Sequence, residues 1–526
     1  ATENGKDFAE PLWVVLNHPT AAAQPFDVDI SLGSVTFDRL FYGADGASDE
    51  TYTLRVLSQA GTTYASLPVR IDASGNLTVD PQNTLSGANG ATADQPLIVQ
   101  GAAERTLTTY FVSPTGSNAA DGRSAATAWQ TIQHAVDTAS SGSRIEIAAG
   151  EYHEEVSVNK VLTLVGAGSG PDASSASHLI APTPTSGSGF ALGGIGNSDA
   201  ETLTLSGMRI RDFNYGVAFA GQHIRLEDLT IRDTGVALRL SSMADMQHLT
   251  VHNSTIEAND FGFYAAKDNP HGSNLRYLTV TQTQFLGNRT KGLYFEKLSD
   301  ALFDGITLTN NGNRSDYAFN AGLELNLKWK WGASEDQDYA NITIQNSTFT
   351  GNGVLGTASH RMNPVSIALK ARDDAPSYNN TGKPPAALSN VRLENNTISA
   401  PVNAVRIGET AKNSAGTTGV VLVNNALSLE GSDALARYLL NNQTTVNVDA
   451  SSENTFAGLE PNATNGFAVE ALLFDQNDQA GLGRVSTGLP AGQTFVPYHS
   501  DGSLIQNIID QATAGDVITL QDGTYN

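Results

Sequence analysis

The feature of this sequence that most restricts its fold is a short recurring pattern: an apolar residue, then Thr or Arg, then a second apolar residue. It occurs seven times, with successive starts 20 to 49 residues apart, at 208–210, 229–231, 249–251, 278–280, 306–308, 342–344 and 391–393. A minimum spacing near 20 residues is about one turn of a three-strand solenoid, and larger spacings then indicate loops inserted into a regular coil. The pattern therefore predicts short strands stacked in successive coils.

A polar residue follows two positions after each of these triplets. The set is Asp212, Asp233, Asn253, Gln282, Asn310, Asn346 and Asn395. Stacked coils bring equivalent residues into register, so these side chains can bond to one another and to the turn backbone, which needs partners once it is buried. We expect a single ladder of polar side chains along the stack.

A third recurring column follows each turn and has the form glycine, apolar, any residue, apolar. Its members are Gly216-Val217, Gly235-Val236, Gly262-Phe263, Gly292-Leu293 and Gly322-Leu323, with Pro364-Val365 and Ala404-Val405 in later coils. Glycine permits the backbone angles that a tight corner between sheets requires. Strand alternation then sends the apolar residues inward and the intervening residues outward.

A longer repeat frames the chain, because 129–152 and 502–525 align at an offset of 373 residues. Each copy places apolar residues at helical spacing, then a glycine, then a short alternating strand. This order predicts an amphipathic helix that leads into the first strand of a coil.

Segment 110–154, which reads YFVSPTGSNAADGRSAATAWQTIQHAVDTASSGSRIEIAAGEYHE, resembles the opening of the right-handed parallel β-helix (pectate-lyase-like) repeat family of large secreted or surface bacterial proteins. That family also contains polysaccharide lyases and uronate epimerases. The resemblance implies an all-β fold, a right-handed parallel β-helix with an N-terminal capping helix at 128–139. It implies little about activity, because this fold hosts many unrelated functions.

The same patterns divide the chain into four segments. Alternating runs separated by turns predict a small β-sandwich-like domain at 1–105. The β-helix is predicted at 106–430 and a C-terminal cap or linker at 431–493. Residues 494–526 are expected to start a second β-helix repeat, either incomplete or serving as a docking element.

Charge and composition exclude several classes of function. With 54 acidic and 30 basic residues, the net charge of -24 repels nucleic acid, so no nucleic-acid partner is expected. The chain contains no cysteine, and no apolar run reaches the ~18 residues of a membrane-spanning helix. A low charged fraction with abundant Asn, Thr, Ser and Gly is typical of secreted bacterial proteins, so we expect a secreted or cell-surface location. The start at Ala1 leads us to expect a mature or excised product.

Outward residues of the third column form three predicted lines on one sheet. The first holds Tyr264, Tyr294, Glu324, Ser366 and Arg406. The second holds Arg239, Ala266, Glu296, Asn326 and Ala368. The third holds Asp268, Lys328 and Lys370, with Arg372, Asp373 and Asp374 at the same edge. Coils about 4.8 Å apart bring neighbouring members into contact.

These residue types suit chemistry on acidic sugars. A lyase or epimerase must neutralise a carboxylate and take the proton next to it, for which Lys370, Arg372 and Arg406 are candidates. Tyr264 and Tyr294 are candidates to donate a proton.

Three further assignments complete the predicted site. The ligand-binding candidates are Glu296, Glu324, Asn326 and Lys328. Asp373 and Asp374 are candidates to hold Ca²⁺, although no cofactor is certain. A hydrolase would instead need two carboxylates, for which Glu324 and Asp373 are the pair to test.

Three functions remain open on sequence alone. The 373-residue repeat favours an extracellular structural or adhesive protein of a surface layer, filament or matrix, whose partners are other copies or neighbouring repeats. The closely spaced Asp cluster typical of β-helix pectate lyases is missing, which also favours that interpretation. The alternatives are a polysaccharide lyase or C5-epimerase acting on acidic glycans, and a glycan-binding module without turnover.

Overall fold

The computed structural model divides into two units, Ala1–Leu107 and Thr108–Asn526. In the second unit it describes residues 108–193, 202–240, 246–265, 275–328, 338–356, 363–371, 386–410, 412, 417–431, 437–489, 492–498 and 503–525. In the first unit it describes strands Thr2–Glu3, Lys6–Asp7, Leu12–Asn17, Gln24–Phe26, Glu50–Ser58, Thr63–Ile71 and Leu77–Val79.

The second unit is a right-handed parallel β-helix, as the sequence predicted. Its described strands form three parallel sheets of 11, 11 and 13 strands, here named sheets A, B and C. In each coil the chain passes from sheet C to sheet A and then to sheet B, before it enters sheet C of the next coil.

The strands of the three sheets are as follows. Sheet A contains Gly150–Tyr152, Ser177–Ile180, Met208–Arg211, Thr230–Arg232, Thr255–Glu257, Gln284–Leu286, Thr307–Thr309, Thr348–Thr350, Thr397–Ala400, Ala426–Leu429 and Thr455–Phe456. Sheet B contains Val156–Val158, Ser186–Gly193, Phe213–Ala220, Val236–Leu240, Phe261–Ala265, Lys291–Phe295, Ala321–Leu327, Val365–Ala371, Asn403–Ile407, Leu440–Asn442 and Leu473–Phe474. Sheet C contains Thr109–Val112, Arg144–Ile147, Thr163–Gly166, Leu203–Ser206, Ile224–Glu227, Met246–His252, Leu275–Thr281, Ser299–Asp304, Asp338–Gln345, Ala387–Glu394, Val420–Val423, Val448–Ser452 and Val485–Ser486.

Inward side chains of all three sheets fill one continuous apolar core. Phe263, Phe295 and Phe303 are fully buried there, with ring centroids 4.9 and 5.9 Å apart along the series. Each coil buries its apolar residues only against its neighbours, so the core has the stacked form of a solenoid.

The predicted capping helix is confirmed as Ile132–Thr138, which follows a short 3₁₀ helix at Ala125–Thr127. The Thr131 side chain accepts a hydrogen bond from the His134 N–H and begins the helix. Glu154 accepts hydrogen bonds from the Ile132 and Gln133 N–H groups at 2.8 and 2.9 Å, which ties the helix to the first coil.

The predicted single ladder of polar side chains is wrong, because its members occupy two different corners. The triplets at 208–210, 229–231 and 306–308 lie in sheet A, and the other four lie in sheet C. Both sheets carry the same short pattern, so the sequence does not distinguish them. Asn253, Asn346 and Asn395 do share one corner, between sheets C and A, where each is exposed and has a left-handed backbone with φ of 43 to 56°.

The buried ladders are formed by asparagines that lie one position later in the corners. Asn311 follows Asn310, for example, and Asn396 follows Asn395. Between sheets A and B, amide groups bond in sequence from Asn259 to Asn288, Asn311 and Asn352 at 2.8 to 3.0 Å. Between sheets C and A, a second series bonds from Asn396 to Asn425 and Asn454 at 2.9 Å. Each acceptor oxygen also receives a backbone N–H, so the ladders satisfy the buried corners.

The corner between sheets C and A keeps a constant length over most of the β-helix, after a ten-residue connection from Gly166 to Ser177 and a one-residue connection from Ser206 to Met208. Two residues separate the strands in eight successive coils, from Glu227 and Thr230 to Ser452 and Thr455. The connections on either side of sheet B vary instead, as in the step from Thr309 to Ala321.

The β-helix continues beyond the predicted boundary at residue 430. Strands up to Val485–Ser486 still pair in parallel with the preceding coils, and the short helix Gly466–Glu470 lies within them. The boundary was placed too early because these last strands are only two to five residues long and lack the repeated triplet.

The two ends of the chain contain further strands. Near the C-terminus, Gln493–Val496 and Val517–Leu520 pair in parallel, with helix Ser503–Gln511 between them, as Thr109–Val112 and Arg144–Ile147 do in the first coil. In the first unit, five strands form one antiparallel sheet. The second layer of a sandwich is not among the residues described there. Within the described residues, no helix combines the length and hydropathy needed to cross a bilayer.

Candidate active site

The candidate site lies on the outer face of sheet B, in the coils from Phe261–Ala265 to Asn403–Ile407. Strand pairing aligns Tyr264 with Tyr294, Tyr294 with Glu324, and Glu324 with Ala368, which in turn faces Arg406. The first predicted line therefore forms apart from Ser366, and the predicted lines contain two register errors, in a later coil and at Arg239. Ala266 and Asp268 lie outside the described residues.

The first error concerns the strand Val365–Ala371. Val365 pairs with Ala321, so Ala368 rather than Ser366 lies beside Glu324, and Lys370 lies beside Asn326. The prediction was displaced by two residues because it matched Pro364-Val365 to Gly322-Leu323. Pro364 does not occupy the position of the corner glycine, since Leu323 pairs with Ile367. Arg239 likewise pairs with Tyr264 and belongs to the first line.

The centre of the site is a buried ionic network of two lysines and two glutamates. Lys291 forms an ion pair with Glu324, and Lys370 contacts Glu324 at 2.7 Å and Glu409 at 2.6 Å. The side chains of Lys291, Glu324 and Lys370 are only 2 to 3% exposed. We call these four residues the central network.

A hydrogen-bonded tyrosine adjoins the central network. The Tyr294 hydroxyl donates to Glu296 at 2.6 Å and accepts a hydrogen bond from the Asn326 amide at 2.8 Å. Lys328 forms an ion pair with the same Glu296. The phenol is therefore fixed in one orientation, and its ring stacks on Tyr264 with centroids 5.3 Å apart.

Arg406 completes the cationic side of the site and is 1% exposed. Its guanidinium donates to the Asn363 carbonyl at 2.6 Å and to the Gly408 carbonyl at 3.2 Å. It lies beside Asn441 in the next coil, whose side-chain oxygen accepts a hydrogen bond from Gln443.

The electrostatics of this face differ from those of the whole chain. The described outer face gathers four cationic side chains and three carboxylates: Lys291, Lys328, Lys370, Arg406, Glu296, Glu324 and Glu409. Counted in their ionised forms, these side chains sum to +1 in a chain of net charge -24. Burial lowers the pKa of Lys291 well below its usual range, and the charges of Lys370 and Arg406 lower it further.

Two aromatic residues border the network from a segment without helix or strand, 310–320. The Tyr317 ring centroid lies 5.7 Å from Lys291 Nζ, and that of Phe319 lies 5.9 Å from Lys370 Nζ. The two rings meet edge to face at 6.2 Å.

Most predicted site residues come together here: Tyr264, Tyr294, Glu296, Glu324, Asn326, Lys328, Lys370 and Arg406. Arg372, Asp373 and Asp374 lie outside the described residues, so their predicted roles and the Glu324–Asp373 pair stay predictions. Among the described residues, no group of three or more His, Asp or Glu side chains can hold a metal ion.

Sequence reasoning missed Lys291, Glu409, Tyr317 and Phe319. Lys291 precedes the corner glycine and Glu409 follows Gly408 at a strand end, so neither falls on the alternating positions used for prediction. Tyr317 and Phe319 lie in a connection and carry no periodic signal. The sequence signal that could have indicated Lys291 is a cationic residue directly before Gly292, a glycine of the third recurring column.

The architecture defines the chain as a right-handed parallel β-helix protein. No protein-family model matches it, and no curated protein matches it.

Among solved structures it is similar to an alginate lyase from Paenibacillus sp. str. FPU-7, with 11% identity, 68% of this chain and 96% of that chain covered, and a TM-score of 0.33. It is also similar to the A-module of a mannuronan C-5 epimerase from Azotobacter vinelandii, with 18% identity, 58% and 93% covered, and a TM-score of 0.34. A pectate lyase matches at 15% identity, with 66% and 77% covered and a TM-score of 0.32. At these values the similarities carry no argument about individual residues or activity.

Proposed function

We propose that this protein is a carbohydrate-active enzyme that acts on acidic glycans as a lyase or C5-epimerase at the outer face of sheet B. The observation that carries the proposal is the central network with its adjoining tyrosine and arginine. A positive, buried face on an acidic chain fits a ligand that bears carboxylates.

The cost of burial supports a functional role for these charges. Removing ions from water costs several kcal/mol per ion, and well-packed apolar residues in their place are often neutral or stabilising. A network of this size on the outer side of a sheet is therefore a poor way to stabilise a β-helix. A cluster of buried titratable groups that includes a lysine of lowered pKa is typical of catalytic sites.

The residues have the chemistry that an elimination from a uronate requires. In the proposed reaction, Arg406 and Lys370 neutralise the sugar carboxylate, which acidifies the adjacent C5–H. Lys291, whose pKa is lowered by burial, is the candidate base that takes this proton. In a lyase, Tyr294 gives its proton to the leaving C4 oxygen as the C4–O bond breaks and a C4–C5 double bond forms. In an epimerase, the C4–O bond stays intact, and Tyr294 gives its proton to C5 on the face opposite to the one from which the base took the first proton.

The decisive experiment incubates the protein with alginate and with pectate, with and without calcium. We expect ultraviolet absorbance of an unsaturated uronate for a lyase, or a changed sugar proton spectrum for an epimerase. Tyr294→Phe and Lys370→Gln should abolish the signal, and Tyr277→Phe on sheet C is the matched control. Binding without either product would favour the non-catalytic glycan-binding module, and neither binding nor product would refute the proposal.

A second candidate function is the structural or adhesive role, with self-association of the chain. The observation that favours it lies in the C-terminal strands Gln493–Val496 and Val517–Leu520 and the helix between them, where Ile509 is 49% and Leu520 41% exposed. Their counterparts in the first copy of the repeat, Val136 and Ile147, are 1% and 2% exposed. Apolar residues at these positions are suited to contact another coil.

Sedimentation velocity over a range of concentrations tests self-association. Assembly that Ile509→Lys with Leu520→Asp abolishes would support it. A monomer at all concentrations and ionic strengths would exclude it.

We also infer a secreted or surface location, because acidic polysaccharides are extracellular polymers that an enzyme must meet outside the cell. Calcium bound by Asp373 and Asp374 remains part of the proposal. Isothermal titration of the metal-free protein with calcium, compared with Asp373→Asn, tests that part.

A further inference from the structure

The amines of the central network are inaccessible to a polymer as the structure stands. Lys291 and Lys370 are each 3% exposed, although both belong to the outer face of a sheet. A glycan can reach them only if some neighbouring group moves. The Tyr294 ring, which belongs to a strand of sheet B, lies 4.5 Å from Lys291 Nζ. The Tyr317 and Phe319 rings lie 5.7 and 5.9 Å from the two amines, and this pair, here called the cover, is the part of the described surroundings that lies in a connection rather than in a strand.

The segment that carries the two rings is anchored at one end and can move elsewhere. Its anchor is the buried Asn320, whose amide donates to the Arg314 and Val354 carbonyls at 2.7 and 2.9 Å. Between these points the segment has no helix or strand, and both rings are only partly buried. Each ring therefore has one face toward an amine and part of its surface toward solvent.

The neighbouring connection supports the segment by close backbone contact. A side chain added at Gly356 would lie 2.7 Å from the Ser315 carbonyl oxygen and 2.8 Å from that of Tyr317. Only glycine allows this approach, because a Cβ at such a distance must displace the backbone of the cover. A larger residue at 356 therefore offers a way to shift the cover without changing its rings.

The chemistry of the two rings matches a sugar ring. Binding sites commonly combine aromatic walls with a few convergent polar groups. Here the amines suit the carboxylate of a uronate, and the aromatic faces suit the apolar C–H face of its pyranose ring.

We propose that Tyr317 and Phe319 form a sugar-binding subsite, which covers Lys291 and Lys370 in the free protein and packs on the uronate ring of a bound acidic glycan. This inference rests on the proposed function for the nature of the sugar, but it requires binding rather than turnover.

The experiment measures lysine accessibility and ligand affinity separately. Limited acetylation with an N-hydroxysuccinimide ester, followed by peptide mass spectrometry, reports the rates at Lys291 and Lys370. Calorimetry with alginate and galacturonate tetramers reports affinity. The variants are Tyr317→Ala with Phe319→Ala, Phe319→Leu, and Gly356→Val, and the matched control is Tyr277→Ala, an exposed aromatic on sheet C.

We expect the double variant and Gly356→Val to raise the acetylation rates of both lysines about tenfold or more. In the wild type, a saturating concentration of tetramer should change the acetylation rates of the same two lysines. The double variant should lose roughly three- to tenfold in affinity, the size of one aromatic packing contact. Phe319→Leu, which retains apolar bulk, should keep the lysines covered yet weaken binding. The control should match the wild type in both measurements.

Unchanged acetylation in the double variant, or unchanged affinity, would overturn the inference. A wild type that binds neither tetramer would also overturn it. If the wild type binds a tetramer without converting it, the proposed enzymatic function fails while this subsite stands.

Discussion

Glu324 is the residue on which the electrostatics of the site converge. Its two oxygens face the amines of Lys291 and Lys370, and all three side chains are almost completely buried. Removing one member of such a group leaves charge in a low-dielectric setting without compensation, which costs more than the group itself contributes. Glu324 therefore holds the lysines in place whatever reaction they serve.

We predict that Glu324→Gln lowers the free energy of unfolding by about 3–5 kcal/mol, because two buried amines lose a charged partner. Urea denaturation followed by circular dichroism measures this change. Adding Lys291→Met should recover part of the loss, since it removes one of the two buried amines that contact Glu324. A loss below about 1 kcal/mol in the single variant would show that the network is solvated and not buried.

A second group of buried acids, Glu470, Asp475 and Asp478, lies at the C-terminal end of the β-helix. Burial raises the pKa of all three, and for Asp478 it reaches about 7. An acid whose pKa is raised on folding favours the folded state below its unfolded pKa, and this contribution is lost as pH rises through the folded pKa. The contribution of these acids to the free energy of unfolding should therefore decrease as the pH rises from about 4 to about 7.

We predict that Asp478→Asn stabilises the protein at pH 8 by about 2 kcal/mol and has little effect at pH 4. The estimate is below the full effect of the shift because the side chain remains partly exposed. Thermal unfolding of both proteins across this range measures the difference. Parallel pH profiles for wild type and variant would contradict the assignment.

At the scale of the element, the buried asparagine ladders join successive coils. Asn311 accepts hydrogen bonds from the Asn288 backbone and side chain, and its amide donates to the Phe285 carbonyl and to Asn352. Each buried group left without its partner costs about 1–3 kcal/mol. A single asparagine thus serves three coils.

We predict that Asn311→Ala costs about 3 kcal/mol or more in unfolding free energy, because several buried groups lose their partners. Asn313→Ala is the control, since its side-chain amide is exposed and donates to the Asn310 carbonyl, so the substitution should change stability by about 0.5 kcal/mol or less. Guanidinium denaturation of both variants provides the comparison. Equal effects would show that the ladder does not bear on stability.

The elements also show where sequence reasoning succeeds. The spacing of the triplets and the opening helix at Ile132–Thr138 were sufficient for the fold, because stacking forces every coil to repeat its inward pattern. Alternation then placed Tyr264, Tyr294 and Glu324 correctly in one line.

The same reasoning fails where periodicity ends. The position of Lys370 was wrong by one line because a coil without a corner glycine has no marker for its register. The prediction of a single ladder is wrong because the same triplet occurs in two sheets, and the sequence does not distinguish them. Tyr317 and Phe319 lie in a connection, whose path depends on contacts such as Gly356 that have no sequence signature.

At the scale of the whole molecule, the charge of -24 opposes the approach of an acidic polymer to a locally positive face. Salt screens the distant repulsion strongly and the buried lysines weakly. We predict that raising ionic strength from about 10 mM to about 150 mM lowers the KM for polyuronates, since the Debye length shortens from about 30 to about 8 Å. Initial rates across this range measure it, and a KM that rises steadily with salt would mean that attraction dominates at long range.

The constant two-residue corner between sheets C and A has a practical consequence for protein engineering. In the eight coils from Glu227 to Thr455, the connections that border sheet B vary in length, as between Thr309 and Ala321, while the corner between sheets C and A always has two residues. Segments that border sheet B in these coils can therefore be lengthened, shortened or transplanted without slipping the strands beneath them. The chain supplies a frame on which new surfaces can be built one connection at a time.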